Sequence, residues 1–211
     1  MAIIGEHFPT PSPEASASYD FQDVEEGIGF VSFKAATTSG SYLLTRRNVY
    51  SNTIGTYDDA LTAGHTKEID LDFDTAPFNL PRVVKGTAFI SVPFAVQTTG
   101  GGTKTEGYTI VDIKHWNGTT ETSLGRSTSG SQYLSPAAGG QAFSGSQLHK
   151  IALTQKVFKE GDQLRLTVEA YCVQSGAGME VGHDPQNRNS TSLLTSGPTE
   201  LIADIPFKID L

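Results

Sequence analysis

The sequence predicts an all-β protein: a jelly-roll-like antiparallel β-sandwich with an extended N-terminal arm. Three observations predict it. First, hydrophobicity alternates with a period of two over long stretches, most cleanly in Leu164–Cys172, where Leu164, Leu166, Val168, Ala170 and Cys172 share one face. A period of two puts alternate side chains on opposite sides of a strand, so such a run is buried on one face. Second, no long window repeats apolar residues at helical spacing. Third, charged residues are only 18% of the chain, and Ser, Thr and Gly fill the gap. β-branched Thr suits a pleated surface, and Gly supplies turns.

Taken in order, residues 1–27 read as a Pro-rich arm. Pro9, Pro11 and Pro13 alternate with small polar residues, and an acidic run follows with Asp20, Asp23, Glu25 and Glu26. Alternating prolines favour extended backbone with no ladder donors. The stretch reads either as a disordered tail or as an arm that becomes ordered along a neighbouring subunit; Ile3, Ile4, Phe8, Tyr19 and Phe21 give such an arm something to bury, which a purely solvating tail would not need. From residue 28 to residue 211 the chain reads as a single sandwich domain. Ile28–Lys34 is apolar on both faces, as in a strand covered on both sides. Ser41–Arg46 and Val49–Ile54 are short candidate strands, and Tyr57–His65 reads as a loop.

Lys67–Asp74 directs Ile69, Leu71 and Phe73 inward and Glu68, Asp70, Asp72 and Asp74 outward. Same-face neighbours on a strand stand about 6.5–7 Å apart. The oxygens around one Ca²⁺ lie at about 2.4 Å from the ion. One strand therefore cannot wrap a cation with these side chains, and a solvated acidic face is the expectation. Arg82–Thr98 is a long strand in which Pro93 removes a donor, which favours an edge or a bulge. A Gly-rich hairpin loop, Thr98–Glu106, leads to the strand Tyr108–Trp116. Asn117-Gly118 then turns the chain into Thr119–Arg126.

Ser127–Gly145 reads as a long loop. The two alternating runs within Leu148–Val173 flank Lys159-Glu160-Gly161-Asp162 and read as a hairpin. A second long loop, Gln174–Pro198, precedes a final core strand, Glu200–Leu211. Eight to ten strands with long late loops fit a jelly roll, with an immunoglobulin-like sandwich as the alternative.

Composition narrows the function. A net charge of −8 disfavours nucleic acid as the main partner, since phosphate binding needs a basic surface. The sequence shows no signal peptide and no apolar run long enough to span a membrane, so synthesis in a reducing cytoplasm is expected. The lone Cys172 sits on an apolar strand face and reads as a core residue. The five histidines, His7, His65, His115, His149 and His183, show no metal-ligand spacing. There is no Gly-x-Ser-x-Gly elbow, and the Gly100–Gly102 loop lacks the ending of a phosphate loop. No catalytic, cofactor or metal residues are assigned. His183-Asp184 reads as turn or contact chemistry, and Trp116 as a core anchor or a sugar-stacking platform.

The Pro-rich arm, the Ser/Thr/Gly-rich sandwich, the segment His183-Asp184-Pro185-Gln186-Asn187-Arg188 and the closing Ile205–Leu211 together resemble tailed-phage virion proteins. More narrowly, the chain is similar to jelly-roll capsid decoration (cement) proteins. That resemblance implies a non-enzymatic structural protein on the outer surface of a phage head, often a homotrimer, that clamps neighbouring major capsid protein subunits. It carries no catalytic residues. The partner-binding residues expected are Ile3, Ile4, Phe8, Tyr19 and Phe21 of the arm. The alternative is a carbohydrate-binding module or the receptor-binding head of a phage fibre, using Trp116, Tyr108 and Tyr133. A sandwich-type hydrolase comes third, since the catalytic pairs it needs are missing.

Overall fold

Alternation of buried and exposed residues dictates strands along almost the whole of the computed structural model. It describes residues 27–98, 105–134, 142–174, 178–190, 192–194 and 197–208. Twelve strands are present among the described residues: β1 (Ile28–Thr38), β2 (Ser41–Thr45), β3 (Gly55–Asp58), β4 (Thr66–Asp74), β5 (Arg82–Gln97), β6 (Thr105–Trp116), β7 (Glu121–Thr128), β8 (Gln132–Leu134), β9 (Ala142–Phe158), β10 (Gln163–Gln174), β11 (Gly178–Gly182) and β12 (Ile202–Lys208).

The pairings resolve into two layers. Sheet I runs β9-β5-β12-β1, and sheet II runs β4-β10-β6-β7; all these neighbours are antiparallel. This is the two-sheet, Greek-key order of a jelly roll. β11 shares the β5 edge with β12 and carries β3, while β8 adds to β6. β2 pairs with β1 and touches β4 at one parallel position, joining the layers along one side. At another side β7 closes onto β9. A Cβ on Gly125 would come within 2.6 Å of Ile151 Cγ2 and 2.9 Å of the Ala152 carbonyl, so glycine is required for that approach. Between the sheets lie Phe73, Phe94, Phe158, Ile90, Ile113, Leu164 and Leu166, all essentially inaccessible. Cys172 is part of this core.

Several expectations change. The two runs of Leu148–Val173 do not pair with each other: β9 belongs to sheet I beside β5, and β10 to sheet II between β4 and β6. The 159–162 connection is an arch over the end of the core. Gly161 (φ 90°) donates its N–H to the Phe78 carbonyl at 2.9 Å, and Phe78 N–H returns to the Asp162 carbonyl at 2.9 Å. Alternation identifies which face of a strand is buried, and an arch and a hairpin bury the same face. Val49–Ile54 is irregular. Its backbone is tied instead by Asn52 N–H to the Thr37 carbonyl at 2.7 Å and by Ser51 Oγ, which accepts from Thr37 N–H at 2.9 Å. The strand expected there is displaced to β3, within what reads as loop.

Both long late loops also hold strands. Ala142–Gly145 pairs with Phe94–Gln97, Gln132–Leu134 pairs with Thr105–Gly107, and Gly178–Gly182 forms β11. Pro93 lies on a central strand and not an edge. It falls in the gap where β12 stops pairing at Ser91 and β11 begins at Phe94, a place where a missing donor costs little. The arm, residues 209–211 and most of the Gly-rich 98–106 loop lie outside the described residues.

Candidate functional site

The two outward faces differ in kind. On sheet II the β4 carboxylates do not stand bare. Arg165 of β10 reaches Asp74 through Nε and Nη2, both at 2.7 Å, and its Nη1 reaches Glu121. Lys67 pairs with Asp70 at 2.6 Å and Glu169 at 3.2 Å; Arg126 adds Glu169 at 2.7 Å, and Lys114 holds Glu121 at 3.0 Å. These bonds raise the Lys67 and Arg165 pKa values and lower that of Glu121. The solvated acidic face read from sequence is thus a face of paired charges.

Trp116 is not a core anchor. Val111 and Ile113 take the inward positions of β6, and Trp116 faces outward with the Arg165 guanidinium 4.9 Å from its ring centroid. Tyr108 also faces outward, stacked on Tyr171 at 5.2 Å and 5°. Eight residues of strand, about 26 Å, separate Tyr108 from Trp116. They cannot form one sugar platform, and the Tyr133 side chain lies outside the described residues.

On sheet I the outward face carries a group of apolar side chains beside polar ones, with Lys150, Asp204 and Ser32 in register with Phe89. Toward one end the described residues of the 183–200 stretch lie over it, with Leu193 and Leu194 against Ala95. Beyond that cover, Leu148 is 79% exposed and Phe89 46% exposed, and Phe30 packs 6.0 Å from Phe89. Leu148 and Phe89, with Ser91, Lys150, Ile202 and Asp204, line a depression of about 360 Å³. Single exposed apolar residues are ordinary, but grouped ones mark contact surfaces.

A larger cleft, of about 780 Å³, opens where β1 and β4 diverge. Its floor is Val31, Phe33, Leu44, Phe78 and Phe207; Arg46, Arg47 and Arg82 stand on its rim. Asp74 also lines it but is held by Arg165. Among the described residues none of the three rim guanidinium groups has an ion pair.

The covering segment is held by buried ions. Asp184, fully buried, accepts from Arg188 Nε at 2.9 Å, Arg188 Nη2 at 3.1 Å and Arg188 N–H at 2.8 Å. Burial raises its pKa, but these bonds outweigh that and hold it below the usual carboxylate value. Arg188 also donates to the Ser51 carbonyl at 2.7 Å and lies 4.1 Å from the Tyr50 ring centroid. Glu180, also buried, accepts from Ser190 Oγ at 2.7 Å and from the Leu193 and Leu194 amides at 2.6 and 2.9 Å.

His183 has no ring nitrogen to spare. Nδ1 is 3.2 Å from Thr37 Oγ1 and Nε2 is 3.0 Å from Thr56 Oγ1, and burial pushes its pKa down to about 4. His149 is likewise pushed to about 4 by burial, with Nε2 2.9 Å from Thr109 Oγ1. His115 Nε2 donates to Asp162 Oδ2 at 2.7 Å, and that bond, with the Lys159 amide, lowers the Asp162 pKa. Sequence spacing misses this pair, because His115 and Asp162 meet only through the β9–β10 arch. Among the described residues no nucleophilic Ser or Cys is bonded to a histidine, and no cluster of His, Cys, Asp and Glu has metal-binding geometry. The arm residues Ile3, Ile4, Phe8, Tyr19 and Phe21 lie outside the described residues.

No family model matches the chain, and no curated protein sequence matches it. Its fold is similar to parts of three solved hydrolases. A CocE/NonD family hydrolase from Staphylococcus aureus superposes with a TM-score of 0.54 at 11% identity, over 85% of this chain and 37% of that one. An α-amino acid ester hydrolase gives 0.51 at 11%, over 83% and 36%. An aminopeptidase from a marine sediment Thaumarchaeota archaeon gives 0.50 at 10%, over 86% and 37%. The chain spans little more than a third of the length of these structures, and at such identity the likeness carries the fold alone.

Proposed function

We propose that the chain is a non-enzymatic virion protein, a decoration (cement) protein that docks on the outside of a phage head and bridges major capsid protein subunits, as a homotrimer. The observation that carries this reading is the outward face of sheet I, where Leu148 and Phe89 stand exposed, with half-buried Phe30 beside Phe89, on the sheet from which the arm departs. Burying Leu148 and Phe89 on a partner contributes on the order of 2 kcal/mol each. Repeated over a shell, modest contacts of this size add up through multivalency. The arm then extends the contact across the seam through Ile3, Ile4 and Phe8.

A carbohydrate-binding or receptor-binding role is supported less well, since Trp116 is capped by Arg165 and stands far from Tyr108. The decisive experiment is co-sedimentation with purified heads of the encoding phage. The intact protein is expected to bind. The double variant Leu148→Glu/Phe89→Glu is expected to lose at least 100-fold in affinity, with its melting temperature within a few degrees of wild type. Loss of residues 2–26 is expected to weaken capsid stabilisation. Unchanged binding by the double variant, or saturable glycan binding with no capsid binding, overturns the proposal.

A further inference from the structure

The cleft at the divergence of β1 and β4 has three properties of a strand-docking site. It borders an open sheet edge: β1 pairs with β12 along Ile28–Lys34, but β2 joins its other edge only from Lys34 onward. Alternate backbone N–H and C=O groups of Ile28–Phe33 therefore have no described strand opposite them, and Val31 and Phe33 of this stretch line the cleft. An open edge of this kind is a template for an added strand. The floor beside that edge is aromatic and aliphatic, and the rim carries Arg46, Arg47 and Arg82, all exposed. In a chain of net charge −8 this concentrates unpaired positive charge in one place.

The sequence just before β1 has the complementary chemistry. Tyr19, Phe21 and Val24 are interleaved with Asp20, Asp23, Glu25 and Glu26. The chain enters β1 through a turn at Gly27, whose φ of 66° most residues avoid and tight turns use. From Gly27 to Phe33 is about 20 Å of strand, and the eight residues Tyr19–Glu26 span about 26 Å when extended. The segment is long enough to fold back over the full open edge and reach the arginine rim.

We propose that the cleft is the seat of the chain's own Tyr19–Glu26 segment, laid along the β1 edge as an added strand with its carboxylates against Arg46, Arg47 and Arg82. The root of the arm is then fixed, and only the part before it, with Ile3, Ile4 and Phe8, reaches a neighbour. The assignment does not depend on the capsid partner, and it is tested on the isolated full-length protein.

Cys172 is fully buried, so pairs of engineered cysteines report cleanly. Leu80, 64% exposed on the cleft rim, is changed to Cys together with Tyr19→Cys, Phe21→Cys or Val24→Cys, one pair at a time. At least one pair is expected to form an intrachain disulfide whose yield does not depend on protein concentration. Adding Arg46→Glu/Arg47→Glu/Arg82→Glu is expected to cut its rate at least tenfold, and 1 M salt several-fold. Backbone amides of Ile28–Phe33 are expected to exchange at least tenfold faster in the triple arginine variant. Disulfides only between chains would place the segment on a second copy and overturn the proposal. Failure of all three pairs, with exchange unchanged by the arginine substitutions, would leave the cleft to some other occupant and equally overturn it.

Discussion

The outward faces of the two sheets solve opposite problems with the same strand geometry. Sheet II satisfies itself: Arg165, Lys67, Arg126 and Lys114 each meet carboxylates across neighbouring strands. Sheet I buries one end of its outer face under a segment pinned by Asp184–Arg188 and Glu180, and leaves Leu148 and Phe89 uncovered at the other. A face whose charges are already paired has little to offer a partner, because each pair would have to be broken or desolvated. A face with grouped apolar side chains gains by being covered. Opposite sheets of one sandwich therefore separate a surface whose charges are already satisfied from one that would gain by being covered.

Acid should break this comparison first. Burial holds the folded-state pKa of His149 and His183 at about 4, against 6.5 ordinarily, and both lie on the sheet I side. Between those values the unfolded chain binds more protons than the folded one. The histidine contribution is thus full above about pH 6.5, is lost as pH drops toward 4, and is constant below that, where the lowered carboxylates Glu121, Asp162 and Asp184 go on to lose theirs. Each histidine accounts for about 3 kcal/mol. Urea unfolding at pH 7 and pH 4.5 checks this, and equal midpoints would contradict it.

Smaller effects are expected on sheet II. Arg165→Ala removes a bidentate bond to Asp74, a bond to Glu121 and the cover of Trp116; its side chain is only 16% exposed. The expected loss is about 2 kcal/mol, read by the same unfolding curves, with Trp116 fluorescence shifting as its ring gains solvent. Arg126→Ala is the gentlest test. Its pair with Glu169 is half in solvent on the arginine side, and a loss of about 0.5 kcal/mol or less is expected. Capsid co-sedimentation should be indifferent to both substitutions. A strong effect there would move the contact surface from sheet I to sheet II.

Much of the fold was legible because alternation is a local signal. β4, β5, β6 and β10 appear where their periodicity places them, with Ile69, Leu71 and Phe73 inward as read. What stayed hidden is long-range. Which sheet receives β9 depends on β5, some sixty residues earlier, and not on the turn at Gly161. β11 is five residues long with glycine at both ends, so nothing local marks it as a strand. The outward strip was hidden for a related reason. Phe30, Phe89 and Leu148 come from three strands that become neighbours only once β12 lies between β1 and β5. The Ala142–Ser146 end of β9 is Ser- and Gly-rich, and only its pairing with Pro93–Gln97 makes it a strand.

The place of β12 has a consequence for how the molecule is made. It is the last of the twelve described strands in chain order, yet it lies in the middle of sheet I, paired on both sides. Until residues 202–208 have left the ribosome, β1 and β5 face each other across a strand-wide slot, each with an unpaired edge toward it. Filling that slot with a strand that lies so much later in the sequence than β1 and β5 requires contacts of very high sequence separation, which form slowly. A nascent chain in that state is exposed to pairing with other nascent chains. Closure of the sandwich therefore waits for its twelfth strand, and the hazard of mispairing is greatest just before that strand is in place.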